Sequence, residues 1–170
     1  VITDGEFRRG WWHLDCMWGF AGVEKVAMDK GYVFHDEETR AESARLSGRI
    51  AFDGDHPFIS HFRFLKRFED DTVVARQTIP SPSQLYAELF RPENIASVHE
   101  FYGDDQAAYD ALADDTAAAF RGLILALYEA GCRNVQLDDC TWGMFCDPNF
   151  NSHYSPEEFR ALQERYAAMN

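Results

Sequence analysis

The chain has 170 residues, 46% of them hydrophobic and 15% aromatic, and its 29 acidic residues outweigh 16 basic ones to leave a formal charge of −13. This composition excludes a disordered chain, and the acidic charge, with no basic stripe to offset it, excludes DNA and RNA as expected partners. No apolar run approaches the ~20 residues that a membrane-spanning helix needs, so we expect no membrane association.

The first part of the chain predicts short strands and a hairpin. Val1 to Gly5 is apolar and then acidic, which favours a strand that opens into a loop. Phe7 to Trp18 is rich in aromatic residues and arginines and has room for one short helix. Val23 to Phe34 and Arg45 to Phe52 look extended between glycines, and together they predict a β-hairpin-like insertion.

The second part alternates strands with helices. Thr72 to Ile79 is rich in β-branched residues and predicts a strand, and Ser83 to Phe90 then predicts a short helix. Asp104 to Ala130 carries an apolar stripe at steps of three and four, which indicates a long amphipathic helix. Asn134 to Asp138 predicts a buried strand. The segment Ser155-Pro156-Glu157-Glu158 supplies a cap, a proline and two acids, and therefore predicts the start of a last helix.

The alternation of strand, helix and strand is typical of an α/β fold with a parallel sheet. A complete (β/α)8 barrel takes ~250 residues. The chain opens without Met, on what looks like the inside of a strand, so we expect residues 1–170 to be a fragment. The prediction is a partial (β/α)8 TIM barrel, roughly half of one, with a β-hairpin-like insertion. A flavodoxin-like doubly wound sheet is the alternative, and the lack of a glycine-rich phosphate loop argues against it.

Acidic residues follow two of the predicted strands, in the segments Asp4-Gly5-Glu6 and Asp138-Asp139. In parallel α/β folds, the side chains that act on a substrate lie just beyond the carboxyl ends of the strands. A carboxylate at such a place can bind an amino group, hold a metal or move a proton. The alternative is a structural role, in which these acids cap the following helices or pair with Arg8 and Arg9.

The chain has four cysteines, too few for the dense disulfide framework of a small secreted domain. We therefore expect free thiols and a cytoplasmic protein. A zinc site could be drawn from His13, Cys16, Cys140 and Cys146, but their spacing matches no standard ligand pattern. We expect these cysteines to be small buried side chains and no metal to be bound by this set.

An aromatic cluster follows the first acidic segment and contains Trp11, Trp12, Trp18 and Phe20. Such a cluster suits a platform for a flat ligand, and equally suits core packing or a partner interface. No Gly-x-Ser-x-Gly elbow is present, so nothing in the sequence indicates a hydrolase.

Three segments, in order along the chain, carry a family resemblance: Thr3-Asp-Gly-Glu-Phe-Arg-Arg9, Gln77-Thr-Ile-Pro-Ser-Pro82 and Ala130-Gly-Cys-Arg-Asn-Val-Gln-Leu-Asp-Asp139. They resemble the catalytic, C-terminal barrel of cobalamin-independent methionine synthase, and most of all its short relatives labelled 5-methyltetrahydropteroyltriglutamate–homocysteine methyltransferase-like. The resemblance implies a TIM barrel that moves a methyl group to a small-molecule thiol, homocysteine, to give methionine, with zinc binding the sulfur as thiolate. By position, it assigns the amino group of homocysteine to Glu6 and Asp138.

The chain departs from the family in two places. The family's zinc ligands, a His-x-Cys motif, a later Glu and a last Cys, have no counterpart here, so we expect them downstream and expect the fragment alone to be inactive. The Trp that stacks on folate in the full-size synthase has no counterpart in Ser83 to Phe90. Methyltetrahydrofolate, a smaller methyl donor and a methylated corrinoid carrier protein therefore all stay open as the methyl source.

Two other interpretations compete with the methyltransferase. One is a related barrel enzyme for coenzyme M alkyl transfer or porphyrinogen decarboxylation, and Arg8 and Arg9 suit the carboxylates of a porphyrin. The other is a non-catalytic binding module, whose acids are helix caps and whose aromatic residues form an interface.

Overall fold

The computed structural model describes residues 1–31 and 33–170, which form a mixed α/β structure. The helices are α1 (Leu14–Met17), α2 (Pro57–Lys66), α3 (Pro82–Leu89), α4 (Ile95–Phe101), α5 (Gln106–Glu129), α6 (Thr141–Met144), α7 (Pro148–Asn151) and α8 (Pro156–Met169). The strands are β1 (Ala21–Ala27), β2 (Val33–Phe34), β3 (Glu37–Glu38), β4 (Glu42–Ala51), β5 (Gln77–Pro80) and β6 (Val135–Asp138).

The predicted hairpin is confirmed. Strands β1 and β4 pair antiparallel, and the short strands β2 and β3 form a second antiparallel pair between them in the chain. The β1–β4 register shifts between Ala21 and Val23, and Gly22 at this irregularity has a φ of 79°. A Cβ on Gly22 would lie 2.2 Å from the carbonyl oxygen of Arg49, so the close approach of the two strands requires glycine there.

The second sheet is parallel. Strand β5 pairs with β6 from Gln77 opposite Val135 to Pro80 opposite Asp138, and Ile2 adds a parallel bridge to Ala75. The described strands form three two-stranded sheets and do not close into a barrel. The predicted β5–α5–β6 alternation of a parallel α/β unit is therefore present, whereas the barrel itself stays a prediction.

Two predicted strands are shorter than expected. The opening segment contributes one bridge, at Ile2, and the strand predicted from Thr72 begins only at Gln77. Oδ1 of Asp70 accepts hydrogen bonds from the backbone N–H groups of Thr72 at 2.7 Å and Val73 at 3.0 Å. This side chain fixes a turn where the β-branched composition had indicated a strand.

Strand β6 lies where Asn134 to Asp138 predicted a strand, but it is only partly buried. Leu137 is 36% exposed. Among the residues that the structure describes, β6 pairs with β5 alone, so its other edge and one of its faces lack a covering layer.

The predicted long helix and the predicted last helix with its cap are confirmed, and the long helix is capped as well. At the start of α5, Oδ1 of Asp105 accepts a hydrogen bond from the N–H of Ala108 at 2.8 Å. At the start of α8, Ser155 and Glu158 form a capping box in which each side chain accepts from the other's backbone N–H. Gly131, with a φ of 94°, ends the chain's longest helix.

Four helices, α2, α4, α6 and α7, were not predicted from the sequence. Helix α2 is capped by an unusual residue, since Nδ1 of His56 accepts from the N–H of Phe58 at 3.1 Å. Its Nε2 lies 2.9 Å from the carbonyl oxygen of Cys16 and must donate to it. A neutral, fully buried histidine thus joins the start of α2 to α1.

The core lies between the hairpin and the helices. Strand β4 packs against α4 and α5, and α3 packs against α5 and α8. Ring centroids of Phe20 and Phe120, which come from opposite sides of this core, are 4.7 Å apart. Within the described ranges, we find no helix with both the length and the apolar character needed to cross a bilayer.

Candidate functional site

Three segments of the chain run parallel and leave the sheet at the same end. Ile2 bridges Ala75 just before β5, and β5 pairs with β6 so that Pro80 lies opposite Asp138. Because the segments are parallel, the residues that follow Ile2 and those that end β6 emerge at one edge. The two predicted site residues, Glu6 and Asp138, therefore lie at the same end of the sheet.

The carboxylate of Glu6 is held in a fixed orientation. Gly5 and Glu6 both have left-handed backbone angles, with φ values of 61° and 59°, which turn the chain sharply after the first segment. Oε1 of Glu6 accepts hydrogen bonds from Nη1 of Arg9 at 2.9 Å and from the hydroxyl of Thr78 at 3.1 Å. The side chain is still 37% exposed, so the carboxylate is oriented and also accessible to a ligand.

Arg9 is the buried cation that organises this end of the sheet. Its side chain is 1% exposed, and its guanidinium lies 4.5 Å from the ring centroid of Phe58. Nη2 donates to the backbone carbonyl of Thr78 at 2.8 Å and to its hydroxyl at 3.0 Å, and lies 3.7 Å from Oδ1 of Asp4. Arg9 thus ties the loop that carries Glu6 to strand β5.

Asp138 ends a row of polar side chains on the parallel sheet. Its Oδ1 accepts from Nε2 of Gln136 at 2.6 Å, and Oε1 of Gln136 accepts from Nη1 of Arg76 at 2.8 Å. Thr78 and Gln136 are paired in the register, so their side chains point to one face of the sheet. Since Glu6 contacts the Thr78 hydroxyl, Glu6 and Asp138 share this face as well as this end.

The neighbouring Asp139 has a structural role. Its carboxylate accepts from the N–H and hydroxyl of Thr141, from the hydroxyl of Ser83 at 2.9 Å and from Nδ2 of Asn170 at 2.7 Å. Partial burial raises the pKa of this carboxyl, but the hydrogen bonds outweigh burial and leave the pKa of Asp139 below its usual value. Of the two predicted acids after β6, only Asp138 faces the same side of the sheet as Glu6.

The four side chains that the sequence offered as possible zinc ligands do not form a metal site. His13 and Cys16 are buried, but Cys140 and Cys146 are exposed, so the expectation that these cysteines are buried is wrong for two of them; all four cysteines of the chain are free thiols. Burial, with a contribution from the charge of Arg91, lowers the pKa of His13 to about 4, and burial raises the pKa of Cys16. No group of three or more His, Cys, Asp or Glu side chains in residues 1–31 and 33–170 is arranged to hold a metal ion.

Sequence reasoning missed most of the residues that support Glu6 and Asp138. Pairing with Arg8 or Arg9 was considered only as an alternative to a functional role, but Arg9 both pairs with Glu6 and leaves it accessible. The three-residue spacing of Glu6 and Arg9 was the available signal. Arg8 lies instead 4.9 Å from the ring centroid of Phe64. Thr78 lies in the segment Gln77–Pro82 that carries the resemblance, but no role was predicted for it, because its contacts depend on the strand pairing.

The chain is similar to proteins of Bacillus subtilis and Listeria monocytogenes. No protein-family model matches the chain. The uncharacterized protein YxjH of Bacillus subtilis (strain 168) is 38% identical over 145 residues, and its companion YxjG is 37% identical over 145 residues. A crystal structure of the "putative vitamin-B12 independent methionine synthase" from Listeria monocytogenes superposes with a TM-score of 0.68 at 37% identity.

These matches cover most of this chain but a minority of each relative. They span 85% of this chain and 35% of YxjH or YxjG, and 99% of this chain and 42% of the Listeria protein. The 170 residues therefore correspond to between a third and a half of the proteins they resemble, and they are similar in sequence and structure to a segment of the Listeria methionine synthase-like protein.

Proposed function

We propose that this chain is part of a methyltransferase that transfers a methyl group to the thiol of homocysteine, giving methionine. The observation that carries the proposal is that Glu6 and Asp138, far apart in the sequence, lie at one end and on one face of the parallel sheet. The similarity to the Listeria protein, whose name includes methionine synthase, supports the same activity.

In this proposal the two carboxylates bind the ammonium group of the amino-acid substrate. Asp4, Glu6 and Asp138 carry negative charge at this end of the sheet, while Arg9 offsets one of the three charges. The remaining negative charge favours a cation. Arg9 and Thr78 hold one oxygen of Glu6, so the carboxylate meets the ammonium already oriented and loses little side-chain entropy on binding.

Substrate binding here would orient the thiol for direct attack on a methyl group. The thiolate sulfur forms the new bond to the methyl carbon while the bond between methyl and donor breaks, its electron pair staying with the donor. Zinc, which the family resemblance implies, would lower the thiol pKa when bound. The described residues do not fit a zinc site, so we expect its ligands elsewhere in the longer protein and derive no step through it.

We further propose that the parallel segments belong to a (β/α)8 barrel, of which residues 1–170 supply roughly half. The Ile2 segment, β5 and β6 run parallel, and helices α3, α4 and α5 lie between β5 and β6 in the chain, so that strands alternate with helices as they do in such a barrel. In a barrel the active site lies at the carboxyl ends of the strands, where Glu6 and Asp138 lie.

Free thiols in the described cysteines suit a reducing cytoplasm, which we propose as the location.

The porphyrinogen interpretation is not favoured by the arginines that suggested it. The guanidinium of Arg9 is buried and engaged by Glu6 and Thr78, and that of Arg8 lies over Phe64. Neither is therefore placed to receive a row of substrate carboxylates.

The test measures homocysteine binding to the full-length protein that contains this chain. We expect Glu6→Gln and Asp138→Asn each to weaken binding by about 10- to 100-fold, the loss expected for one charge-assisted hydrogen bond. Asp71→Asn is the matched control, because Asp71 is exposed and distant in sequence from both strand ends, and it should bind homocysteine normally. Unchanged homocysteine affinity in both site variants would contradict the proposal and favour a non-catalytic binding module.

A further inference from the structure

A row of polar side chains lies on the face of the parallel sheet that Glu6 and Asp138 share. Gln136 and Asp138 are two residues apart on β6, so their side chains point to the same side of the sheet. Arg76, which comes directly before β5, reaches this row from the neighbouring segment, and its guanidinium contacts both Asn134 and Gln136. The row ends at Asp138, the carboxylate proposed to bind the substrate.

The side-chain amide of Gln136 can be placed in only one orientation. Nη1 of Arg76 lies 2.8 Å from Oε1 of Gln136, and because a guanidinium only donates hydrogen bonds, the amide oxygen must face it. Nε of Arg76 donates to Oδ1 of Asn134 at 3.1 Å, which fixes the guanidinium in turn. The amide nitrogen of Gln136 therefore points towards Asp138 and donates to its Oδ1 at 2.6 Å.

This hydrogen bond leaves the Asp138 carboxylate divided between the protein and a ligand. Oδ1 is held by Gln136, which fixes the rotation of the carboxylate, whereas Oδ2 accepts from no side chain among the residues that the structure describes. The same division exists at Glu6, where Arg9 and Thr78 both donate to Oε1. Each of the two candidate carboxylates thus has one oxygen held by a neighbouring side chain and a second oxygen available to an ammonium group.

We propose that Gln136, held by Arg76, is a positioning residue that orients Asp138 for the ammonium group of the amino-acid substrate. The inference rests on the proposed function and adds to it a residue that acts through Asp138. Without Arg76 the amide is free to turn over and to present its oxygen to the carboxylate, which repels it. Without the amide nitrogen of Gln136 the carboxylate is free to rotate, and its orientation must be fixed when the substrate binds.

A positioning role and a purely structural role differ in which ligands they affect. A residue that only stabilises the sheet alters the binding of every ligand at this end of the sheet. A residue that orients Asp138 alters the binding of those ligands alone that carry an ammonium group. The test therefore compares homocysteine with γ-mercaptobutyrate, which has the same thiol and the same carboxylate but has hydrogen in place of the amino group.

Both thiols are titrated calorimetrically against the full-length protein that contains this chain. Gln136→Leu should weaken homocysteine binding by about 3- to 10-fold, the cost of ordering one free side chain on binding, and should leave γ-mercaptobutyrate binding unchanged. Gln106→Leu is the matched control, because it removes a bond of the same kind, from Nε2 of Gln106 to Oδ1 of Asp110 at 2.8 Å, on the exposed surface of α5. It should change the affinity for neither thiol.

Variants of Arg76 test whether the orientation of the amide matters. Arg76→Met removes the group that holds Oε1 of Gln136, so it should weaken homocysteine binding and leave γ-mercaptobutyrate binding unchanged. Arg76→Lys keeps a donor that faces this oxygen and should retain most of the homocysteine affinity. A loss in Arg76→Lys as large as the loss in Arg76→Met would contradict the role of Arg76.

Because Gln136 acts through Asp138, Gln136→Leu should cause no further loss of homocysteine affinity in an Asp138→Ala background. A further loss in that background would overturn the inference, as would an equal weakening of both thiols in Gln136→Leu. Circular dichroism of each variant confirms that the fold is intact. Unchanged homocysteine binding in Asp138→Ala would refute the proposed function itself, whereas a loss in Asp138→Ala with none in Gln136→Leu would refute the positioning role alone.

Discussion

Arg9 donates from Nη1 to Oε1 of Glu6 over 2.9 Å, and this contact joins a buried guanidinium to a carboxylate that is 37% exposed. The asymmetry gives the two residues different roles. Arg9 holds the loop against β5, and Glu6 presents its charge to the solvent side. Substitutions at the two positions should therefore affect stability and ligand binding to different extents.

Removing the buried cation should destabilise the protein. Arg9→Met leaves the hydrogen-bond acceptors of the guanidinium without a donor. We therefore expect the free energy of unfolding, measured by urea titration, to fall by about 3 kcal/mol. Glu6→Gln should cost less, and the double variant should cost less than the sum of the two. Arg45→Met is the control, because Arg45 and Glu24 form an exposed pair worth about 0–1 kcal/mol. Additive costs in the double variant would show that Arg9 and Glu6 are not coupled.

Gly5 should be required for the turn that carries Glu6. Its φ of 61° is left-handed, and a Cβ there would lie 2.8 Å from the mobile end of the exposed Phe7 side chain, which can move away. Gly5→Ala should therefore cost only the conformational penalty, about 1–2 kcal/mol, while reducing homocysteine affinity through a displaced Glu6. Gly143→Ala has open space at its Cβ and should leave both measurements nearly unchanged. Normal homocysteine affinity in Gly5→Ala would contradict the role of this turn.

The two buried histidines should make stability depend on pH. Burial lowers the pKa of both His13, to about 4, and His56, so the unfolded chain binds protons that the folded chain does not. Stability is then fully present above the unfolded pKa of about 6.5 and decreases as the pH falls towards 4, by at most about 1.4 kcal/mol per pH unit for each histidine.

Urea unfolding between pH 7 and pH 5.5 tests this dependence in a range above the usual carboxyl pKa values. His13→Phe should reduce the slope by removing one of the histidines whose pKa is lowered in the folded protein. His153→Phe, at an exposed position, should keep the slope of the parent protein. A slope that does not change in His13→Phe would show that His13 titrates normally in the folded protein.

The adjacent acids Asp138 and Asp139 should separate into a binding residue and a structural one. Asp139→Ala removes the acceptor for Thr141, Ser83 and Asn170, and we expect a loss of about 2–3 kcal/mol in unfolding free energy. Asp138→Asn should change stability little and weaken homocysteine binding. Thermal unfolding and calorimetric binding of both variants check the pair, and the reverse pattern would exchange their roles.

Local signals in the sequence were sufficient for several elements. Asp105 and Ser155 precede their helices and cap them, because a side-chain oxygen of Asp or Ser satisfies free N–H groups in the first turn whatever the rest of the fold does. The glycine-bounded strands of the hairpin were likewise predicted from residues close together in the chain. Helix α2 was missed because its cap is His56. The Nδ1 atom of this histidine can accept a hydrogen bond only in the tautomer whose Nε2–H donates to the carbonyl oxygen of Cys16, which is distant in the chain.

The sequence by itself determined the types of the main elements and the presence of carboxylates after two strands, since helix caps, turns and periodicity depend on neighbouring residues. Only the tertiary structure decided which of these carboxylates lie on the same face of the sheet. That choice depends on the parallel register that places Thr78 beside Gln136, and on the buried Arg9 that turns Glu6 towards Thr78. Hydrogen bonds between strands separated by many residues set this register, and no local pattern encodes it.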